Sequence, residues 1–354
     1  MKEEVRGSLA VDAMGSDKGP VEVVQGLKLA LDAMASTTPR MDPILLVGRQ
    51  EELEPALSSE NLAQDPRVRI VHADDVIGMD EKPMQAIKKK RNASMMIALD
   101  LVKSGSAQAI LSCGNTGALM GGGTIKLRAL EGVDRPALAT IIPGLRKFTV
   151  LIDSGANPDA TPVHLCHNAV LGSHFARVVL GIDEPKVGLL TIGTEEGKGG
   201  ERVTETHHLM RSIKGLIRYD GLVEGYHLFD GEADVIVCDG FVGNVVLKAC
   251  ESLFHVIGDY LKQEITATPM RKLGAMLSRG AFRNLKDHFS PSEYGAAPFL
   301  GLKAPVFKSH GSSDRHAIAG GIKVALNVVQ HDMTERILED IRGVNRMIQP
   351  PQRD

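Results

Sequence analysis

Short apolar runs alternate with longer amphipathic segments along most of the chain, and this alternation limits the folds that the chain can adopt. The runs are shorter than typical helices and are bounded by Gly, Asp or Asn, as buried strands commonly are. Strands separated by helices predict a largely parallel sheet covered on both faces, which is a three-layer α/β/α fold. The predicted strands are residues 9–11, 44–47, 67–72, 109–111, 137–142, 149–152, 187–191 and 234–237.

The amphipathic segments predict helices, and Pro20 and Pro83 stand where the first turn of a helix accepts proline. The strands at 137–142 and 149–152 lie close together, so a mixed sheet is an open alternative at that point. The predicted helices are residues 20–35, 83 to beyond 102 as one long helix, 162–180, 245 to beyond 260, and one long helix from 314 that ends before 350.

Composition places the chain among soluble proteins and argues against several other classes. The formal net charge of −3 gives no reason to expect nucleic-acid binding. The 4 cysteines contain no C-x-x-C pair, which argues against disulfides and a cysteine zinc site and fits a reducing compartment. We find no signal peptide and no run of about 18 apolar residues. The length allows one large α/β domain or two smaller ones, and we predict a single α/β/α domain over residues 1–354.

Five loops that follow predicted strands combine glycine with Asp, Asn or Lys. In the loop after strand 109–111, Thr116 is placed to cap a helix, and unpaired N–H groups at a helix start favour a bound anion. A tight turn without a ligand is the alternative for any one loop. Ligands of α/β sheets bind beyond the carboxyl ends of strands, so five such loops predict a shared cleft. The loops are residues 12–19, 112–117, 153–157, 192–199 and 238–244.

Residues 265–289 depart from the α/β pattern. This segment carries several cations against one acid, with bulky apolar side chains near helical spacing, which is typical of a helix at a membrane surface. The alternatives are a helix that contacts a second subunit and a basic surface that receives an acidic partner protein. We therefore predict that residues 250–290 form a projecting helical arm for membrane or dimer contact. The residues that support this are Arg271, Lys272, Arg279, Arg283, Lys286, the acid Asp287, Met270, Leu273, Met276, Leu277 and Phe282.

Short motifs in a fixed order over nearly the whole chain resemble the bacterial phosphate acyltransferase family. Ser16 and Cys113 depart from the pattern, where the family usually has Gly and Ala, and both replacements are small. The matching residues are 11–15 (VDAMG), 114–120 (GNTGALM), 135–138 (RPAL), 153 with 155–157 (D and GAN), 238–241 (CDGF), 243–244 (GN), 247–248 (LK) and 308–311 (KSHG).

The resemblance implies an enzyme that transfers a fatty acyl group reversibly from an acyl carrier protein thioester to inorganic phosphate, giving acyl-phosphate for phospholipid synthesis. It implies a fold similar to isocitrate and isopropylmalate dehydrogenases, and a cytoplasmic homodimer that associates peripherally with anionic membranes. It also implies that a membrane-bound glycerol-phosphate acyltransferase receives the product, and that neither a metal nor a nucleotide cofactor takes part.

Phosphate attack on a thioester needs positioning and oxyanion stabilisation more than proton transfer. Amide groups, backbone N–H groups and one lysine suit those tasks. The predicted catalytic residues are Lys198, Asn115, Asn244, Asp239 and His310. The predicted substrate- and phosphate-binding residues are Asp12, Gly15, Gly114, Thr116, Gly117, Asp153, Asn157 and Gly243.

Other functions stay open at this point. The aspartates of the loops suit a magnesium ion as well as an orienting role, which we prefer. Cys113 and Cys238 are placed like buried packing residues, so we expect direct attack by phosphate and no acyl-cysteine. His164, His167 and His174 share one side of a helix, where packing is commoner than metal binding. The alternatives are a metal- and nicotinamide-dependent hydroxy-acid dehydrogenase and a non-catalytic anion-binding or membrane scaffold.

Overall fold

The structure is a computed structural model, and it describes residues 7–34, 41–145, 147–195, 197–289, 295–331 and 333–348, with the side chains of 255, 286 and 287 excepted. Lys286 and Asp287, which belong to the predicted basic arm, therefore lie outside the described side chains. The strands are β1 (Leu9–Asp12), β2 (Ile44–Gly48), β3 (Val68–His72), β4 (Ala109–Ser112), β5 (Ala137–Pro143), β6 (Phe148–Ile152), β7 (Lys186–Leu190), β8 (Arg218–Val223), β9 (Val235–Val237), β10 (Ala297–Leu300) and β11 (Val306–Lys308).

Helices connect most of these strands. They are α1 (Pro20–Met34), α2 (Gln50–Ser59), α3 (Pro83–Lys89), α4 (Ser94–Lys103), α5 (Thr116–Leu127), α6 (Pro162–Leu180), α7 (Gly200–Ser212), α8 (His227–Asp230), α9 (Gly240–Thr266), α10 (Pro269–Leu277), α11 (Arg279–Phe289), α12 (Arg315–Gln330) and α13 (Met333–Ile348).

The strands form one mixed sheet in the order β3-β2-β1-β4-β11-β10-β5-β6-β9-β7-β8. Strands β3, β2, β1, β4 and β11 are parallel to one another, and so are β6, β9, β7 and β8. Strand β10 is antiparallel to both of its neighbours, and β5 is antiparallel to β6. The two halves therefore run in opposite directions, which settles the alternative left open by the sequence in favour of a mixed sheet.

Side-chain alternation along the strands buries both faces of the sheet. Leu9 and Val11 of β1 enter one apolar cluster with α1, α6 and α12, whereas Ala10 enters a second cluster with α4 and α5. A strand that is apolar on both faces belongs between two helical layers, which is why these runs lack polar alternation. The mixed α/β fold with helices on both faces is as predicted.

Two of the predicted long helices are each broken into two. The helix predicted from residue 83 to beyond 102 is α3 followed by α4, because Ala93 forms a bridge with Asp75 and the Ser94 N–H donates to the Asp75 carbonyl at 2.9 Å. The helix predicted from residue 314 is α12 followed by α13. Strands β8 and β10 and helices α2, α7 and α8 were not predicted from the sequence.

Helices α10 and α11, together with the second half of α9, form the helical segment predicted as an arm. Its apolar side chains face solvent, with Leu277 at 80% and Met270 at 77% of full exposure. Among the described residues, α9 is the one helix long and apolar enough by composition to cross a membrane, although the sequence had suggested no such segment. The same composition suits a helix whose apolar side meets another surface.

Candidate active site

A cleft of about 640 Å³ opens over β5, where the two halves of the sheet meet. The first residue of α5, the first turns of α9 and the cap of α12 line it, so the starts of three helices adjoin one space. Its polar lining is Thr116, Thr140, Ser154, Asn244, Lys248, Glu251, Lys308, His310, Ser312, Ser313 and Asp314. Its apolar lining includes Leu138, Ile141, Pro143, Phe148, Leu247 and Ala296.

Asp12 ends β1 and holds the loops on one side of the cleft. Its carboxylate accepts hydrogen bonds from the hydroxyls of Ser94 and Ser112, both at 2.6 Å, and from the Met14 N–H at 3.2 Å. Burial raises the pKa of Asp12 above its ordinary value, and these donors oppose that shift. Asp12 thus ties the end of β1 to β4 and to the start of α4, and its orienting role toward a lysine or an amide stays a prediction.

Gly15 and Gly114 bring two of these loops into direct contact. A Cβ on Gly15 would lie 2.6 Å from the Gly114 nitrogen, so only glycine fits. Gly117 similarly has Pro83 2.6 Å from the position of its missing Cβ. These predicted binding glycines therefore serve close packing of the loops around the cleft.

Asn115, and not Thr116, caps helix α5. Its Oδ1 accepts from the Ala118 N–H at 3.0 Å, while its Nδ2 lies 2.9 to 3.3 Å from the carbonyl oxygens of Gly78, Met79 and Glu81. Thr116 is the first helical residue and faces the cleft. The Asn115 amide is thus engaged within the protein and positions the loop at 78–81, whereas a direct catalytic contact stays a prediction.

Asp153 holds the loop after β6 on the other side of the cleft, as Asp12 holds the loops on the first side. Its buried carboxylate accepts from the backbone N–H groups of four residues at 2.6 to 3.0 Å: Leu138, Gly155, Ala156 and Asn157. Burial raises the pKa of Asp153, and the four donors oppose that shift. Leu138 belongs to β5, so the carboxylate ties the loop after β6 to the neighbouring strand.

The loop after β9 packs onto the loop of Asp153. Asp239 caps α9 by accepting from the Val242 N–H at 2.9 Å, and its second oxygen pairs with Arg202 at 2.6 Å. A Cβ on Gly243 would lie 1.9 Å from the Asp153 carbonyl oxygen. Asn244 follows on the same helix and lines the cleft. Asn244 thus meets the cleft directly, Asp239 and Gly243 hold the loop and helix start together, and the predicted roles of all three in the reaction stay predictions.

Lys308 is one of two lysines that line the cleft, and the sequence analysis gave it no role, whereas the other, Lys248, pairs with Glu251 at 2.7 Å. Lys308 ends β11 between β4 and β10, opposite Ser112 on one side and Ala297 on the other. Its Nζ donates to the carbonyl oxygen of Cys113 at 3.1 Å and to that of Ser309. Burial lowers the pKa of Lys308 to about 8. The sequence feature that could have identified Lys308 is its position in the motif 308–311, two residues before His310.

His310 and Lys198 occupy different sites. His310 lines the cleft, and its Nδ1 accepts from the Ser312 hydroxyl at 2.8 Å. Lys198 lines a second cavity of about 270 Å³ with Thr194, His207 and Arg211, and is not among the residues around the cleft. The structure therefore does not bring Lys198 together with Asn244, and its catalytic role stays a prediction.

The helix histidines proposed as alternative metal ligands have separate protein partners. His167 Nε2 lies 2.7 Å from Asn345 Oδ1, and His174 Nε2 lies 2.8 Å from Asp340 Oδ2, both on α13. His164 bonds within its own capping box at Thr161 and lies 3.2 Å from the Asn157 amide. The three rings join α6 to its neighbours and do not converge on one point.

We expect Cys113→Ala and Cys238→Ala to keep most of the wild-type turnover. Burial raises the pKa of the Cys113 thiol to about 11 and that of Cys238 well above its usual value, so both stay protonated at neutral pH. A protonated, buried thiol is a poor nucleophile. The measurement is acyl transfer by each variant, and an acyl-thioester trapped on either residue would overturn direct attack.

Comparison with known proteins decides the family. A model of the family described as "Fatty acid synthesis protein" matches residues 8–336. A phosphate acyltransferase from Geobacter sulfurreducens is 41% identical over 331 residues, which cover 94% of this chain and 93% of that protein. One from Desulfitobacterium hafniense is 42% identical over 334 residues, covering 94% and 97%. The chain belongs to the phosphate acyltransferase family.

Solved structures show that this acyltransferase shares its fold with phosphotransacylases. A phosphotransacetylase from Streptococcus pyogenes superposes with a TM-score of 0.58 at 16% identity, covering 95% of this chain and 94% of that one. A branched-chain phosphotransacylase from Enterococcus faecalis superposes with a TM-score of 0.55 at 16% identity, covering 91% and 98%. At such identities the likeness concerns the fold alone.

Proposed function

We propose that this acyltransferase moves a fatty acyl group reversibly from the thioester of acyl carrier protein to inorganic phosphate, giving acyl-phosphate for phospholipid synthesis. One observation carries the proposal: the half-buried cation Lys308 and the start of helix α5 share a single cleft with an apolar wall. Helix starts and lysine favour an anion, and the apolar wall suits the first carbons of an acyl chain.

The two ends of the cleft would hold the two reactants. Phosphate would lie near Lys308 Nζ and the N–H groups at Thr116, and the acyl chain would lie along Leu138, Ile141 and Phe148. A phosphate oxygen forms a bond to the thioester carbonyl carbon, and the carbon–sulfur bond then breaks. The thiolate leaves without strong acid assistance because such a thiol has a pKa of about 8.5, and it takes its proton from solvent.

Asn244 and Lys308 are the groups best placed to stabilise the oxyanion of the tetrahedral intermediate. The Asn244 side chain is exposed on the first turns of α9 and lines the cleft close to Gly155. An amide N–H held on a rigid helix donates to a developing negative charge without having to reorient. Asp153 and Asp239 hold this helix start in place.

Incubation with a carrier thioester and phosphate tests the function directly. We expect acyl-phosphate by mass spectrometry, formed only when both reactants are present, with one free carrier thiol per product. A 340-nm change with a hydroxy acid, a nicotinamide and a metal would favour the dehydrogenase alternative instead. We also propose that the fold is similar to that of isocitrate and isopropylmalate dehydrogenases. A structure with phosphate bound would show where the ligand lies in this fold.

We also propose that the helical arm places the enzyme on anionic membranes inside the cytoplasm, as a homodimer. Acyl-phosphate is amphiphilic, so release at the bilayer would shorten its path to a membrane-bound glycerol-phosphate acyltransferase. Leu273 and Leu277 are exposed beside Arg271 and Lys272 on α10. Each cation near an anionic surface contributes on the order of 1 kcal/mol. Phe282 lies with Ile265 in an apolar groove along the arm.

A Leu273→Glu, Leu277→Glu variant should lose binding to anionic liposomes while keeping its turnover in solution. In this variant, two carboxylates would have to enter the apolar part of the membrane interface, which is unfavourable. Salt should weaken wild-type binding only in part, because it screens the charges and leaves the apolar contacts unchanged. Liposome flotation measures this, with Ser104→Glu, Ser106→Glu as a control that adds the same charge outside the arm. If the Leu273→Glu, Leu277→Glu variant floats as well as the control variant does, dimer contact becomes the better account of Leu273 and Leu277.

A further inference from the structure

A cluster of exposed cations surrounds α3, and the function described above does not use it. We define the α3 basic surface as Lys82, Lys88, Lys89 and Arg91, which are all exposed. None of the four forms an ion pair with any residue that the structure describes. The neighbouring Lys90 instead forms ion pairs with two nearby acids, Glu81 at 2.8 Å and Asp75 at 3.5 Å. Of the acids in the preceding loop, Asp80 is exposed beside the surface.

This surface adjoins the mouth of the cleft. In the loop that leads into α3, three carbonyl oxygens lie within 3.3 Å of the side-chain amide nitrogen of Asn115, the residue before Thr116. Pro83 at the start of α3 packs on Gly117, and the Met79 side chain packs on Gly311, beside His310. Lys88 is five residues beyond Pro83, or about 7.5 Å along the helix. The cations therefore stand just outside the residues that line the cleft.

We propose that the α3 basic surface docks the acidic protein that carries the acyl thioester. This rests on the proposed function, because a carrier must stay outside while its flexible prosthetic arm enters the cleft. Unpaired cations attract an acidic surface and orient it during encounter. The exposed side chain of Met84 lies among them and offers an apolar contact that adapts to its partner.

A protein fits this surface better than a lipid bilayer does. Helix α3 has seven residues, and Met84 is the exposed large apolar side chain on it. Interfacial helices need a broad apolar face, which in this chain belongs to the arm, where Met270, Leu273, Met276 and Leu277 are all exposed. The two basic segments thus have different chemistry, and we assign α3 to the carrier.

The test compares two donors with the Lys88→Glu, Lys89→Glu variant. One donor is the acyl carrier protein thioester, and the other is an acyl-pantetheine thioester, which has no protein to dock. We expect KM for the carrier thioester to rise at least tenfold with little change in kcat, and acyl-pantetheine turnover to stay within twofold of wild type. Rising salt should increase the wild-type KM for the carrier and change that of the variant far less.

A Lys214→Glu, Lys323→Glu variant is the matched control, because both lysines are exposed on other parts of the chain and the charge change is the same. An unchanged KM for the carrier, or an equal loss with both donors, would overturn the docking site. Loss of liposome flotation with carrier kinetics intact would assign the surface to lipid instead. A wild-type enzyme inactive with both donors would overturn the proposed function itself and the docking site with it.

Discussion

Lys308→Met should lower kcat/KM for phosphate by about 10²-fold or more, the scale typical of a lost electrostatic stabiliser. Lys308 is a half-buried cation in the lining of the cleft, where partial burial weakens the screening of its charge by water. Methionine keeps much of the side-chain volume and removes the charge. Steady-state kinetics with varied phosphate measures the effect, and Lys323→Met, at an exposed site on α12, is the control. Near-wild-type use of phosphate by Lys308→Met would remove it from the mechanism.

The pH profile supplies an independent check on Lys308. Because burial lowers the pKa of Lys308 to about 8, the ammonium that would bind phosphate is lost as pH rises through that value. Wild-type use of phosphate should therefore fall above about pH 8, and Lys308→Arg should lose that decline because arginine stays charged. Between about pH 8 and the usual lysine pKa, Lys308 is protonated in the unfolded chain and largely deprotonated in the folded chain. Its contribution to the free energy of unfolding therefore rises with pH in that range. A profile that is flat through pH 9 would contradict the assignment.

Asp153→Ala should lower the free energy of unfolding by at least about 3 kcal/mol. Four backbone N–H groups would lose their common acceptor, and each buried donor without a partner costs about 1–3 kcal/mol. The loop after β6 would then separate from β5 and release the start of α9 that packs on it. Urea unfolding measures the loss.

Two further variants define the cause of that loss. Asp153→Asn keeps one oxygen acceptor and should lose part of the stability, whereas Asp159→Ala, an exposed aspartate of the same loop region, should lose less than about 0.5 kcal/mol. Equal stability of Asp153→Ala and wild type would show that water replaces the carboxylate and that the loop holds by packing alone.

Local pattern was enough to predict most strands and the loops that follow them. The apolar run before Gly114 and the small residues after it predicted a strand, a loop and a helix start, all of which the structure contains. Tertiary contacts decided what the pattern could not. Asn115 was recognised as a polar residue at a helix start, but its partners at 78–81 lie more than 30 residues away. No local signal reports that its amide is already engaged.

Lys308 and the break after α3 illustrate the same limit. Lys308 ends a three-residue strand whose burial depends on β4 and β10, one of them far away in the sequence. Its lowered pKa therefore cannot be read from neighbours along the chain. The apolar spacing from Met84 to Val102 continues across the break, so periodicity favours one helix. The bridge between Ala93 and Asp75, formed by a distant segment, interrupts it.

The reversal of strand direction has a consequence for how the enzyme could move. Strands β10 and β5 are joined through two registered pairs, Phe299 with Leu138 and Leu300 with Ala137, which is the narrowest ladder in the sheet. The cleft lies across this line, with Leu138 and Ala297 in its lining. A bend there would disturb fewer hydrogen bonds than a bend at any other strand boundary and would change the width of the cleft directly. If the two halves of the sheet move relative to one another, the β10–β5 boundary is therefore where the motion would break the fewest registered pairs.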